Sequence, residues 1–341
     1  MQRSQPRGYS LHQRPTASPT LLTAIVLATI ISKFAQVVKA NPNYSPLGYQ
    51  LLDTYEGTSI FDQFYYFSDE DPTKGFVRYA TKETAQDLNL TSTTDTTAIL
   101  RVDSSTPATA GGRHSVRIES KNRYDSGLFI FDIIHTPVGC GTWPALWLTD
   151  GPKWPSNGEI DILESHNHGS HGNEMSLHTT AGCSMDVARM HSGTTLSDTC
   201  DISSTANAGC TVVGGPATYG EAFNSNGGGI YTLELRDAGI RIWFFPRSLA
   251  PSDLNNASPD PSTWGTPLAD FPSTNCDIAS HFRNLSIIAN IDLCGELGAL
   301  PRHYTEMYNC PGSCPDFVAN NPSSFEEAYW EFGSIKVYKA L

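Results

Sequence analysis

Hydrophobic and polar positions alternate along much of this chain with a period of two. Ser115, Arg117, Glu119 and Lys121 oppose Val116 and Ile118. Glu174, Ser176, His178 and Thr180 oppose Met175, Leu177 and Thr179, and Asn284, Ser286, Asn290 and Asp292 oppose Leu285, Ile287, Ala289 and Ile291. That period belongs to strands with one face buried. The pattern predicts strands over residues 115–121, 127–134, 158–164, 174–180, 230–236, 239–245, 284–291 and 329–338, with Asp237-Ala238-Gly239 as a tight hairpin connection. No stretch sustains a helical period. Antiparallel strands with one polar and one apolar face pack as two sheets, so the expected fold is an all-β sandwich. If the strands with polar faces are neighbours, those faces line one groove rich in hydrogen-bonding groups.

One strand breaks the alternation. In Asn157-Gly158-Glu159-Ile160-Asp161-Ile162-Leu163-Glu164, three carboxylates fall within six residues. Glu159 and Asp161 share a face, and Ile160 and Ile162 take the other. Strict alternation sends Glu164 to the apolar side, where an unpaired carboxylate costs several kcal/mol. A β-bulge at Ile162-Leu163 keeps both apolar side chains inside and returns Glu164 to the face of Glu159. The predicted result is a row of three acids on one face. Two crowded carboxyl groups have split proton affinities, one ionised and one protonated, as glycosidic bond cleavage requires. The span from Glu159 to Glu164 is about 13 Å of strand, so the two side chains must lean together across a bent strand.

The surrounding residues carry a resemblance. Trp143-Pro144-Ala145-Leu146-Trp147-Leu148, followed by Trp154-Pro155-Ser156-Asn157-Gly158 and the acid strand, resembles the signature of family 16 glycoside hydrolases. The E-x-D-x-x-E spacing is similar to that of the laminarinase-like branch. Arg117-Ile118-Glu119-Ser120-Lys121, Gly127-Leu128-Phe129, Asn320-Asn321-Pro322, Phe325 and Ala328-Tyr329-Trp330 extend the likeness over nearly the whole chain after its first forty residues. The order and spacing resemble the fungal secreted endo-1,3(4)-β-glucanases. The resemblance implies a jelly roll with a concave substrate cleft and a retaining mechanism. It implies Glu159 as nucleophile, Glu164 as acid/base and Asp161 assisting between them; the residues alone also allow the reverse order. It also implies that Trp147 and Trp154 flank the scissile bond and that His178 contacts the substrate or the acid row. Arg117 and Asn290 are expected to line the cleft. Trp143 is expected to be structural and Trp330 to lie in the core.

Residues 1–40 contain five basic residues and no acid, with an apolar run of eleven from Leu21 to Ile31 and Val38-Lys39-Ala40 after it. This reads as a secretory signal peptide, since spanning a bilayer takes about 20 apolar residues. A type II membrane anchor is the other reading. Residues 41–341 are then expected to form a single catalytic domain, a length that all-β folds can reach. The chain carries −13 at pH 7, and removing the five leader cations leaves −18. Such a charge repels nucleic acid and anionic membranes and suits a secreted monomer acting on a neutral β-glucan.

All eight cysteines follow residue 139. Their even number in a secreted chain predicts disulfides, with pairing left open, and Cys310-x3-Cys314 is read that way rather than as half of a zinc site. Asn43, Asn89, Asn256 and Asn284 are N-glycosylation acceptors by sequence; Asn89 is the preferred one. Residues 181–229 form a long polar stretch that its cysteines are expected to pin. No cofactor and no metal are expected, because two carboxylates suffice for the chemistry. Family members that carry a structural calcium use an acid near the last strand, where this chain has Gly333-Ser334. Two other readings of the same residues are a glucan transglycosylase and a non-catalytic glucan-binding lectin.

Overall fold

The computed structural model describes residues 44–255 and 257–341. The expected signal peptide and the acceptors Asn43 and Asn256 lie outside the described residues. The strands, in chain order, are β1 (Tyr49–Glu56), β2 (Phe64–Tyr66), β3 (Val77–Tyr79), β4 (Thr91–Thr93), β5 (Ala98–Arg101), β6 (Arg113–Ser115), β7 (Arg117–Ser120), β8 (Gly127–His135), β9 (Thr142–Thr149), β10 (Glu159–Glu164), β11 (Glu174–His178), β12 (Thr194–Thr195), β13 (Cys210–Val213), β14 (Gly229–Arg236), β15 (Gly239–Pro246), β16 (Ala269–Pro272), β17 (Ser286–Leu293) and β18 (Tyr329–Ala340). Among the described residues the longest α-helix has seven residues, Cys314–Asn320. None is long and apolar enough to cross a membrane.

Two antiparallel sheets make the fold, an all-β sandwich as the alternation predicts. One runs β16-β15-β14-β8-β18-β5-β4 with β1 also on β18; the other runs β12-β13-β11-β10-β9-β17-β7-β2. Their facing sides share one core. Phe129, Phe131, Leu233, Ile242 and Val337 of the first sheet are buried in one cluster with Ile118, Leu146, Leu148, Ile160, Leu177 and Ile287 of the second. The outer face of the first sheet carries a smaller cluster of its own, Leu128, Ile130, Tyr49, Trp243 and Trp264. Trp330 lies in the main core with 0 % exposure, as expected.

The β14–β15 hairpin pairs Arg236 with Gly239, so Asp237 and Ala238 alone make the turn. The stretch 115–121 departs from expectation. Ser115 ends β6, which pairs in parallel with β3, and β7 begins only at Arg117. Asn284 is also outside its predicted strand, with φ at +58°; β17 starts two residues later. The alternation did not predict β9 as a strand, because Pro144 sits within it. Proline removes one ladder donor, yet here both neighbours, β10 and β17, pair along it.

All eight cysteines are joined, as Cys140–Cys310, Cys183–Cys276, Cys200–Cys210 and Cys294–Cys314. Two of these hold the 181–229 stretch, which also contains β12, β13 and three short helices. Cys183 and Cys276 are 93 residues apart. Closing a loop of that length stabilises by about 4–5 kcal/mol in the chain-entropy account. Asn89 and Asn284 are both exposed, and the side-chain nitrogen of Asn284 is engaged, donating to Asp150 at 2.9 Å.

Candidate active site

The register of the second sheet sets the faces. Residues directly opposite one another in an antiparallel pair point to the same side. Glu159 is opposite Thr149, Asp161 opposite Trp147 and Glu164 opposite Ala145, and these β9 residues alternate with Leu146 and Leu148. Ile160 pairs with Leu148 and Leu163 with Leu146, on the core side. The step from Asp161 to Leu163 consumes only one residue of β9, so Ile162 is the extra residue of a bulge. Ile160, Ile162 and Leu163 are each 0 % exposed. All three acids therefore share the groove face, as the cost of burying Glu164 requires.

A residue that sequence reading did not single out completes the bulge. An extra residue leaves backbone groups without ladder partners, and buried groups of that kind need substitutes. The side chain of Asn173 supplies both. It accepts from the Glu164 N–H at 2.8 Å and donates to the Ile162 carbonyl at 2.8 Å. Its own N–H donates to Thr218 Oγ1 at 2.9 Å. At the other end of β10, Gly158 has φ of +74°, and a Cβ there would stand 2.4 Å from the His281 carbonyl. Only glycine fits where the chain enters the acid strand.

Neighbouring strands surround the acids. His178, opposite Glu159 on β11, places Nε2 3.1 Å from Asp161 and 3.8 Å from Glu159. Trp154, 39 % exposed, stands in the loop before β10, and its indole lowers the hold of Glu159 on a proton. Trp147 donates to Asn290 at 2.8 Å, and Asn290 donates to Tyr79 at 3.2 Å. Arg117 lies over the rings of Phe67 and Trp147 and pairs with Glu119 at 2.8 Å. Arg117 and Asn290 thus fix the Trp147 ring within the groove wall. Trp143 corrects an expectation. It is not merely structural, because its indole N–H donates to Glu164 at 2.6 Å. The period-two rule would have placed it on the groove face had β9 been read as a strand.

Electrostatics separates the groups. Burial, then the charge of Asp161, pushes Glu159 up to about 7. Burial, Asp161 and Glu174 push Glu164 well above the ordinary glutamate value. For His178 burial disfavours the charge, but the Asp161 contact and the charges of Glu159, Asp161 and Glu164 outweigh it and hold the ring at about 9. The row can therefore hold one proton on a carboxyl while a second carboxyl ionises next to an imidazolium. That arrangement suits attack at one carbon with proton donation to a leaving oxygen. The indoles of Trp143, Trp147 and Trp154 add flat apolar surface on which sugar C–H faces pack.

Comparison with known proteins places the chain in a family and a fold. The family profile described as the XgeA-like, catalytic GH16 domain matches residues 64–338. A probable glycosidase of Schizosaccharomyces pombe is 45 % identical over 304 residues, 88 % of this chain and 71 % of that one. An endo-1,3(4)-β-glucanase of Arthroderma benhamiae is 41 % identical over 85 % of this chain and 65 % of its own length. The chain thus spans about two thirds of that relative. Laminarinase 16A from Phanerochaete chrysosporium, solved with two β-glucans in its donor and acceptor sites, superposes with a TM-score of 0.83 at 42 % identity, covering 86 % of this chain and all of the other. A β-1,3-glucosyltransferase of GH family 16, described as elongating, superposes with a TM-score of 0.80 at 39 % identity, over 85 % of this chain and all of that one.

Proposed function

This chain belongs to the family of XgeA-like catalytic GH16 domains, and on that premise we propose that it is a retaining endo-β-glucanase cutting internal β-1,3 and mixed β-1,3/1,4 bonds. The observation that carries the reading is the bulged register that turns Glu164 to the face of Glu159, with Asp161 between them and His178 against Asp161 from the next strand. Glu159 attacks the anomeric carbon and forms a glycosyl-enzyme as the bond to the leaving oxygen breaks. Glu164 gives that oxygen its proton. Glu164, now ionised, takes a proton from water, whose oxygen displaces Glu159 and releases the sugar. Glu164's stronger hold on a proton supports its role as the acid. Asp161 and His178 set how readily Glu159 gives its proton up. Trp147 and Trp154 carry sugar rings, with Arg117 and Asn290 positioning Trp147.

Glu159→Gln is expected to lower reducing-end release from laminarin on the order of 10³-fold or more, the scale lost when a nucleophile is removed. Azide is expected to restore turnover to Glu164→Ala with a β-glycosyl azide product, and to give the α-azide with Glu159→Ala. Near-wild-type turnover in both single variants would overturn the assignment.

Transfer to a sugar instead of water is the second reading, favoured by the likeness to the elongating glucosyltransferase. Products longer than the starting oligosaccharide, in excess over hydrolysis, would select it. A purely binding role does not call for three crowded acids. We further propose that residues 1–40 are a signal peptide and that the remainder is a secreted, monomeric single domain. Recovery from culture medium with Asn41 as the first residue supports this; recovery only from membranes with an intact leader contradicts it.

A further inference from the structure

Beyond the Glu164 end of the acid row lies a cluster to which the cleavage steps assign no bond-making or proton-transfer role. We propose that His166, His171 and Glu174 form a binding site for one divalent transition-metal ion of the zinc class. One donor atom from each of the three lies within 4.8 Å of the other two. His171 Nε2 stands 2.8 Å from Glu174 Oε1, and its other nitrogen meets the Tyr308 hydroxyl. A histidine tied through one nitrogen to an oxygen, with the other aimed at a carboxylate, is oriented as a metal ligand is by its outer partners.

The second observation is independent. His166 is 1 % exposed, and neither of its ring nitrogens has a hydrogen-bond partner. Leaving a buried polar group unmet costs about 1–3 kcal/mol. The ring is held in place by stacking on His303, with centroids 4.1 Å apart, and by edge contact with Tyr308. A metal ion shared with His171 and Glu174 satisfies one nitrogen of this imidazole. The donor set also selects the ion. Two imidazoles and one carboxylate suit zinc, copper, nickel or cobalt, whereas calcium and magnesium prefer all-oxygen sites. The nearby Cys140 and Cys310 are joined as a disulfide and offer no thiolate. Two histidines and a glutamate leave a coordination position open. Glu174 and His171 are only partly buried, so the ion has a path in from the groove. Glu174 is directly opposite Glu164 across the β10–β11 ladder, which places the site beside the acid row, where the charge of Glu174 already bears on Glu164.

The full-length chain, carrying no histidine tag and stripped with chelator, is titrated with Zn²⁺ by calorimetry. One equivalent is expected to bind saturably. His171→Ala and Glu174→Gln are each expected to weaken binding at least ~10-fold, the scale of lost ligand support. Zn²⁺ is expected to raise the melting temperature of the wild type and not of the two variants. Both variants replace partly exposed side chains, and their melting in chelator reports whether they fold. Co²⁺ in place of Zn²⁺ is expected to give a visible d–d band that both variants lose. Absence of saturable binding in the wild type, or equal affinity in all three chains, overturns the proposal; equal affinity would move the ion to Glu159, Asp161 and His178.

Discussion

Glu164 shows how far one side chain's position follows from its cost. Had it faced the core beside Ile162, an ionised carboxylate would have lacked both solvent and a partner. On the groove face it is still half-buried, takes a hydrogen bond from Trp143 and holds its proton tightly. That has a consequence for stability. In the unfolded chain Glu164 ionises near the ordinary value, about 4.3. In the folded chain its proton stays on to higher pH. The folded state then binds more protons, so stability falls as pH rises from the unfolded value toward the folded one. Glu164→Gln removes that penalty. Its melting temperature is expected to exceed the wild type's at pH 7, and the gain to vanish as pH falls below about 4. A variant that melts below the wild type at pH 7 would show that the Trp143 contact outweighs the penalty. Glu159 and Asp161 were legible because they are two residues apart on a strand. Trp143's role was not, because a hydrogen bond to Glu164 depends on the register between two strands that no single-strand pattern reveals.

At the scale of elements, the bulge in β10 was legible and its support was not. The bulge follows from a local conflict between apolar and charged positions at Ile162-Leu163-Glu164. The Asn173 side chain that repairs it enters from the start of the next strand, and nothing in the order of residues marks it from other asparagines. Asn173→Ala leaves the Glu164 N–H and the Ile162 carbonyl unpaired in a buried setting. It is expected to cost about 2–4 kcal/mol of stability, two unmet groups at roughly 1–3 kcal/mol each less some relaxation. Laminarin turnover is expected to fall more than substrate affinity, because the position of Glu164 shifts while the tryptophans remain. Urea unfolding together with separate kcat and KM values measures both; unchanged kcat would show that the bulge holds Glu164 without Asn173. Strand β9 was hidden for a similar reason. Pro144 argues against a central strand, and only the tertiary setting, with β10 and β17 on either side, overrides that preference.

Across the whole molecule, the alternation was enough to anticipate two packed sheets, and it placed β8, β10, β11, β14, β15, β17 and β18 closely. It gave no order to them. Which polar faces become neighbours depends on contacts between distant segments, such as β7 with β17 and β10 with β9, and on the disulfides that tie 140 to 310 and 183 to 276. The cluster of His166, His171 and Glu174 belongs to the same class of feature. Two of its surrounding groups, His303 and Tyr308, arrive from a distant part of the chain. The acid groove arises where a polar-faced sheet meets a local irregularity, and each of those two causes could be read separately before their meeting could be seen.

The central claim is that the bulge brings Glu159 and Glu164 to one face as nucleophile and acid/base. Its most direct test is the configuration of the first sugar released, followed by proton NMR during early hydrolysis of a laminarin oligosaccharide. The account predicts that the β anomer appears first and the α anomer only later, by mutarotation. An α anomer formed first would mean inversion by a water between two separated carboxyls, and would contradict it.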